Sequence, residues 1–255
     1  MSPLDPLLSR QLSRGRIWFT RKDALELLPP PALTAALSKL IRKGAIANPR
    51  QGFYLILSPK DQGAPHPKRW IHALMQHQGI DYRISLLTAA AFHGAAEEPA
   101  TFQAIAARPL RELTLGARKL EFLPLAESTF KRTNRAEWLQ GLKTDTGEAK
   151  LAGIELTLLD CAKWLHKAGG MSQVQQITRT LGARARPTRL AALARAGEGA
   201  DARRLGYLLE LAGHEPQAKA LDAIAQQAKT TKLLDPSSKI QTGELSGRWK
   251  IVVNR

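Results

Sequence analysis

Cysteine, methionine and aromatic residues are scarce in this 255-residue chain, and acidic residues are outnumbered. A single cysteine, Cys161, excludes an internal disulfide and a cysteine-based zinc site. No apolar run approaches the ~20 residues that a membrane-spanning helix needs, so no membrane role is expected. The opening Met1-Ser2-Pro3-Leu4-Asp5-Pro6 lacks the basic start and apolar core of a secretory signal, and the expected compartment is the cytoplasm. The six histidines form no HExxH and pair with no carboxylate at a metal-ligand spacing, so no metal is expected. Gly169-Gly170 and Gly197-Glu198-Gly199 follow no strand-like run and carry no Lys-Ser/Thr. They read as helix ends rather than phosphate loops, and no cofactor is expected.

Basic charge is plentiful. The chain has 38 Lys and Arg against 22 Asp and Glu, a net charge of +16. Residues 1–60 hold 10 basic and 3 acidic side chains, residues 61–150 hold 12 and 10, and residues 151–255 hold 16 and 9. Two basic zones therefore flank a nearly neutral middle, and nucleic acid is the simplest acidic partner for them.

The length suits two domains. The first lies within residues 1–60. Arg16-Ile17-Trp18-Phe19 reads as a short strand, and Thr20 can cap a helix over Arg21 to Leu28. Pro29-Pro30-Pro31 ends that helix and starts the next, because proline is tolerated in a first helical turn and not inside. The second helix, Ala32 to Lys43, places Leu33, Ala36, Leu37, Leu40 and Ile41 on one face. Gly44 stops it. Ala45-Ile46-Ala47 and Phe53-Tyr54-Leu55-Ile56-Leu57 read as two strands joined by Asn48-Pro49-Arg50-Gln51-Gly52. Helix, turn, helix and hairpin in this order make a winged helix-turn-helix. Such an arrangement implies reading of double-stranded DNA. Thr34, Ala35, Ser38 and Lys39 would approach base edges in a major groove, Arg42 and Lys43 would meet phosphates, and Arg50, on the wing, would meet an adjacent phosphate or the minor groove. Arg21 and Lys22 add charge at the start of the first helix. The competing reading is a solvated face used for protein contacts.

Ser58 to Lys68, rich in Pro, Gly and polar residues, marks the boundary, with a linker at 61–68 and a second domain at 69–255. Helices are expected at Trp70–Gln78 and Ser85–Phe92, and strands at Phe102–Ala106, Arg111–Leu115 and Lys119–Leu123. Further helices are expected at Ile154–Leu165, Gln173–Leu181 (capped by Ser172), Thr188–Ala196, Ala202–Gly213 and Gln217–Thr230, before a final strand at Gly247–Asn254. The expected class is α+β, an N-terminal winged helix-turn-helix followed by a mixed helix and sheet domain with a largely helical C-terminal part. Arg179, Arg184, Arg186 and Arg189, with Arg203 and Arg204 nearby in sequence, form a candidate second basic surface against the alternative of a solvated helix face. Asp160 sits in an apolar helix and needs a partner, expected as a salt bridge or hydrogen bond to the following segment. Cys161 beside it reads as a core residue.

Several segments, taken in order, resemble the AbiEi family, the antitoxins of type IV abortive-infection toxin–antitoxin systems. They are Phe19-Thr20-Arg21, Arg50-Gln51-Gly52-Phe53-Tyr54, the alanine-rich run Ser85 to Phe92 with His93-Gly94, Glu155-Leu156-Thr157-Leu158-Leu159-Asp160, and Arg203-Arg204-Leu205-Gly206-Tyr207-Leu208-Leu209-Glu210. The resemblance implies a non-enzymatic transcriptional autorepressor that binds repeats upstream of its own operon. It also implies a nucleotidyltransferase-type toxin, opposed without a stable complex being required, and places the antitoxin activity in the C-terminal domain. Two other readings stand beside it. One is a stand-alone winged-helix regulator with no toxin. The other is a nuclease with a winged-helix targeting domain, for which Glu121 with Lys119 is the candidate and lacks an acidic partner.

Overall fold

The computed structural model describes residues 2–58, 64–144 and 147–254. The linker expected at 61–68 lies partly outside them. Among the described residues no helix is long and apolar enough to cross a membrane.

The N-terminal unit runs α1 (Asp5–Ser13), β1 (Trp18–Thr20), α2 (Arg21–Leu25), α3 (Pro30–Arg42), β2 (Ile46–Arg50) and β3 (Phe53–Ile56). The three strands form an antiparallel sheet in the order β1-β3-β2. Because side chains alternate across a strand, this sheet has two working faces. Phe19 and Tyr54, stacked 5.1 Å apart, lie with Leu4, Leu7, Leu33, Leu37, Leu40, Ile46 and Ile56 in a core of the unit's own. Ile17, Phe53 and Leu55 belong instead to the core of the rest of the chain. The sheet is thus both the floor of the helix-turn-helix and the surface that joins it to the rest of the chain.

Residues 82–152 contribute a six-stranded mixed sheet, ordered β6-β7-β5-β4-β9-β8. Its strands are β4 (Tyr82–Ile84), β5 (Thr101–Ala106), β6 (Leu113–Leu115), β7 (Arg118–Pro124), β8 (Leu139–Thr144) and β9 (Gly147–Ala152). β5 runs parallel to β7 and β4 runs parallel to β9, and the remaining pairs are antiparallel. Helices α4 (Ile71–Gln78), α5 (Leu86–Phe92) and α7 (Ile154–Lys163) pack against this sheet, and α6 (Glu127–Thr133) follows β7. α8 (Gly170–Gly182), α9 (Pro187–Ala196), α10 (Gly199–Leu211), α11 (Glu215–Lys219) and α12 (Asp222–Gln227) complete the helical part. α10 is its hub, touching α7, α8, α9, α11 and α12. A small sheet, β10-β12-β11, closes the chain from β10 (Lys232–Leu233), β11 (Glu244–Ser246) and β12 (Ile251–Val253). The α+β class expected from the pattern is the class observed.

Several local expectations change. The short strand begins at Trp18 rather than Arg16, and the first helix of the motif stops at Leu25, leaving Leu25 and Leu27 exposed. Ile41 is 42% exposed and does not join the buried face of α3. Ser172 lies inside α8 and caps nothing, because the glycine pair Gly169-Gly170, both at positive φ, begins the helix three residues earlier than expected. The expected single helix over Gln217–Thr230 is two short ones, α11 and α12, broken near Leu221. The terminal strand is only three residues long, because Arg248, Trp249 and Lys250 form a turn in which Lys250 takes φ +50°.

Candidate nucleic-acid interface

Three local devices present α3. The first is a capping box at α2. The Thr20 amide donates to Asp23 Oδ2 at 2.7 Å, and the Asp23 amide donates back to Thr20 Oγ1 at 3.3 Å. This satisfies free amides at the helix start from both ends. The second is the proline run. Pro29 caps α3 in an extended conformation and Pro30 occupies its first position, where the absent N–H is no loss. The third is Gly44, held at φ +66°, which ends α3 in a left-handed turn that residues with a Cβ resist.

These devices seat Leu33, Ala36, Leu37 and Leu40 on the sheet and leave Thr34, Ala35, Ser38, Lys39, Arg42 and Lys43 exposed. Lys39 and Arg42 lie in the last turn, where the helix dipole favours cations. Arg21 is half-buried, and its Nη2 donates to Thr34 Oγ1 at 3.3 Å, so the two helices are cross-linked at the base of the exposed face. Lys22 is exposed on α2. Eight of the nine residues singled out in the sequence therefore gather around one helix-turn-helix.

Arg50 is placed differently. Its Nη2 donates to the backbone carbonyl of Arg111, in the loop before β6, and its Nη1 donates to the Pro49 carbonyl at 3.3 Å. Burial, and then the charge of Arg111, push its pKa below the usual arginine value. The wing is anchored beside it, since His77 on α4 approaches the Gln51 carbonyl at 3.1 Å and its ring lies 5.7 Å from that of Phe53. The hairpin is thus fastened to the second domain, and Arg50 is one of the fasteners.

The candidate second basic surface divides. Arg184, Arg186 and Arg189 line one cleft of about 420 Å³ with Glu137, Gln140 and Glu155. Glu155, buried at the start of α7, accepts from the Arg186 amide at 3.0 Å and from Arg189 Nε at 3.3 Å, while Arg184 donates to the His93 carbonyl at 2.6 Å. Arg179 is exposed on α8. Arg203 and Arg204 do not belong to a surface at all, being 4% and 7% exposed. Arg203 donates to the carbonyls of Thr230 and Lys250, and Arg204 donates to the Leu233 carbonyl and to Asp201. They face inward because α10 is the helical hub, and their guanidinium groups satisfy backbone carbonyls of the C-terminal sheet region.

Asp160 has the salt bridge expected of it, but the partner comes from upstream. Arg83 on β4 donates through Nε and Nη2 at 2.9 and 2.8 Å, and Ser85 Oγ adds a third bond at 2.5 Å. Arg83 also reaches Thr133 at 3.4 Å and stacks 5.6 Å from the Phe130 ring. The sequence offered no signal for this pair, whose members are 77 residues apart. Cys161 is fully buried, and burial followed by the neighbouring Asp160 charge pushes its thiol pKa far up, so it is a core residue. The nuclease candidate Glu121 is bound by Lys167 at 2.5 Å and Gln103 at 3.3 Å, and Lys119 faces Glu112 at 3.8 Å. Among the described residues no three His, Cys, Asp or Glu are grouped to hold a metal ion.

Comparison with known proteins gives the family. Residues 83–211 match the model of the AbiEi antitoxin C-terminal domain. No curated protein matches the chain. Among solved structures, the RV2827C protein from Mycobacterium tuberculosis aligns over 98% of this chain and 90% of its own, with a TM-score of 0.71 and 16% sequence identity. At that identity the likeness is one of fold. The matched span runs from Arg83 in the buried ion pair to Leu211 at the end of the hub helix. The chain belongs to the AbiEi antitoxin family, a regulatory family in toxin–antitoxin systems.

Proposed function

We propose that this antitoxin is also a sequence-specific DNA-binding autorepressor that opposes a nucleotidyltransferase-type toxin in a type IV, phage-defence system. In this reading the N-terminal unit, residues 1–60, reads the operator of its own operon in the cytoplasm. Residues 69–255 carry the antitoxin activity, for which a stable complex with the toxin is not required. The observation that carries the DNA-binding part is the exposed face of α3, where Thr34, Ser38 and Lys39 stand beside Arg42 and Lys43. Short polar side chains along the exposed face of a helix with cations at its end suit a recognition helix, the first group meeting base edges and the second meeting phosphates. The local excess of basic charge in residues 1–60 supports it, since phosphate neutralisation supplies most of the affinity for DNA. The anchoring of the wing by Arg50, Gln51 and Phe53 supports a rigid presentation of that helix.

The test is a footprint of the full chain on DNA upstream of its own coding sequence, together with a reporter driven by that DNA. A protected repeat and repression that depends on it are expected. Equal affinity for random duplex, with no protected site, would sink the autorepressor reading. Co-expression with the product of the adjoining open reading frame tests the antitoxin part. Growth rescue is expected from the full chain and from its Arg42→Ala, Lys43→Ala variant, which leaves intact the sheet that shares a core with the rest of the chain, and loss of rescue in that variant would tie the activity to DNA binding.

A further inference from the structure

A cavity of about 340 Å³ opens where α5 ends and where β5 and β7 begin, away from α3. Its size is at the lower end of the range for small-molecule sites. The floor is apolar, formed by Ala91, Phe92, Ala96 and Phe102. The rim is cationic. Arg118 and Lys119 project from the start of β7, and Lys68 reaches in from the short helical turn Pro67–Arg69.

The rim is also organised. Lys68 Nζ sits 5.5 Å over the Phe92 ring, which fixes an otherwise mobile ammonium at the edge of the floor. Arg118 Nε donates to the Ala64 carbonyl at 3.1 Å. His66 Nδ1 accepts from the Lys68 amide at 3.1 Å, so Nε2 carries the proton and donates to Glu98 at 2.6 Å. His66 stands edge-on to Phe102, with ring centroids 5.6 Å apart. Among the described residues Glu98 is the single carboxylate lining the cavity, and it is already engaged by His66. Lys119 also faces Glu112 at 3.8 Å, so three cations against two carboxylates still leave a net positive rim over an apolar floor.

We propose that this cavity is a binding site for a planar ring that carries phosphate, a nucleotide being the class that fits. The ring lies against the floor, and the phosphate meets Arg118, Lys119 and Lys68. The His66–Glu98 pair supplies polar groups at the edge of the ring. This separates ring recognition from phosphate recognition, and the two can be tested one at a time.

Calorimetric titration of the full chain with AMP, ATP, adenosine and ring-free tripolyphosphate reads both. One-to-one binding of AMP or ATP is expected, with adenosine and tripolyphosphate each weaker. Arg118 and Lys119 are exposed, so Arg118→Gln with Lys119→Gln should leave the melting temperature in place. That variant should lose about tenfold or more in nucleotide affinity, as expected for lost charged hydrogen bonds, while adenosine is unaffected. Ala96→Leu, which fills the floor, should weaken adenosine and nucleotide alike. Three outcomes overturn the proposal. One is no saturable binding of AMP or ATP, and another is tripolyphosphate binding as tightly as ATP, which would mean a cationic rim only. The third is nucleotide binding untouched by both variants, which would place the site elsewhere.

Discussion

Replacing Asp160 by alanine should be among the most damaging single changes in this chain. Arg83 and Asp160 have side chains that are 1% and 5% exposed, and their two hydrogen bonds, at 2.9 and 2.8 Å, are supplemented by the Ser85 hydroxyl at 2.5 Å. Removing the carboxylate leaves a buried guanidinium with only Thr133 at 3.4 Å among its hydrogen-bond partners, and leaves Ser85 without an acceptor. Breaking a buried pair from one side destabilises by about 3–5 kcal/mol, because the remaining charge is uncompensated. For a chain of this size that is a fall of roughly 6–20 °C in melting temperature, at about 2–4 °C per kcal/mol. Urea unfolding followed by tryptophan fluorescence measures it. The double variant Arg83→Met with Asp160→Leu should recover most of the loss, since an apolar pair has no charge to strand. A loss below about 1 kcal/mol in Asp160→Ala would refute the reasoning, because no buried and unpaired guanidinium fits so small a change.

Gly206→Ala should also destabilise strongly, since its Cβ would stand 2.1 Å from the fully buried Trp249 ring; overpacking of this kind typically costs about 1–3 kcal/mol, read in the same unfolding assay. Stability should fall in acid through His93, whose Nε2 faces the Ala152 carbonyl at 2.8 Å and whose pKa is lowered, first by burial. Its neutral form is favoured by folding, so this contribution is complete above the ordinary histidine value of about 6.5 and is lost as pH falls from there toward the lower folded pKa. In His93→Gln the slope of stability against pH in that window should flatten, and an unchanged slope would assign it to other groups. On DNA, Arg42→Ala with Lys43→Ala should lower the salt slope of binding by about one per charge. Arg50→Ala should instead loosen the hairpin, visible as faster amide exchange in β2 and β3, and a lost unit of salt slope in that variant would place Arg50 on phosphate after all.

The helix-turn-helix was legible because local signals agree with one another there. Thr20, the three prolines, the apolar spacing of α3 and Gly44 each act within a few residues. α1 was missed, because Asp5–Ser13 is polar and begins among prolines and a turn. β4 was missed because Tyr82–Ile84 is short, wholly buried and carries an arginine, which hides it from an alternating pattern. The hairpin β8–β9 was missed as well, since Leu139–Thr144 is a largely exposed edge strand with little apolar periodicity. Arg203 and Arg204 show the opposite failure, where charge in the sequence suggested a surface and tertiary packing turned both side chains inward. The same helix explains more of its motif than charge did, because Gly206 admits Trp249 and Glu210 accepts from the Trp249 indole at 2.8 Å and from Arg248 at 2.6 Å. Arg50 lies at the hairpin, and its partner, the Arg111 carbonyl 61 residues further on, is the kind of contact that spacing along a chain does not reveal.

A paired titration tests the proposed reading of DNA sequence by α3 most directly. The chain and its Thr34→Ala, Ser38→Ala, Lys39→Ala variant are each titrated with their own upstream DNA and with random duplex at one salt concentration. These residues are exposed and lie outside the core, so the variant should melt with the parent chain. The account predicts that preference for the upstream site falls by about 1–3 kcal/mol for each side chain that reads a base edge, with random-duplex binding largely kept. Equal losses on both duplexes, or no loss on either, would contradict it.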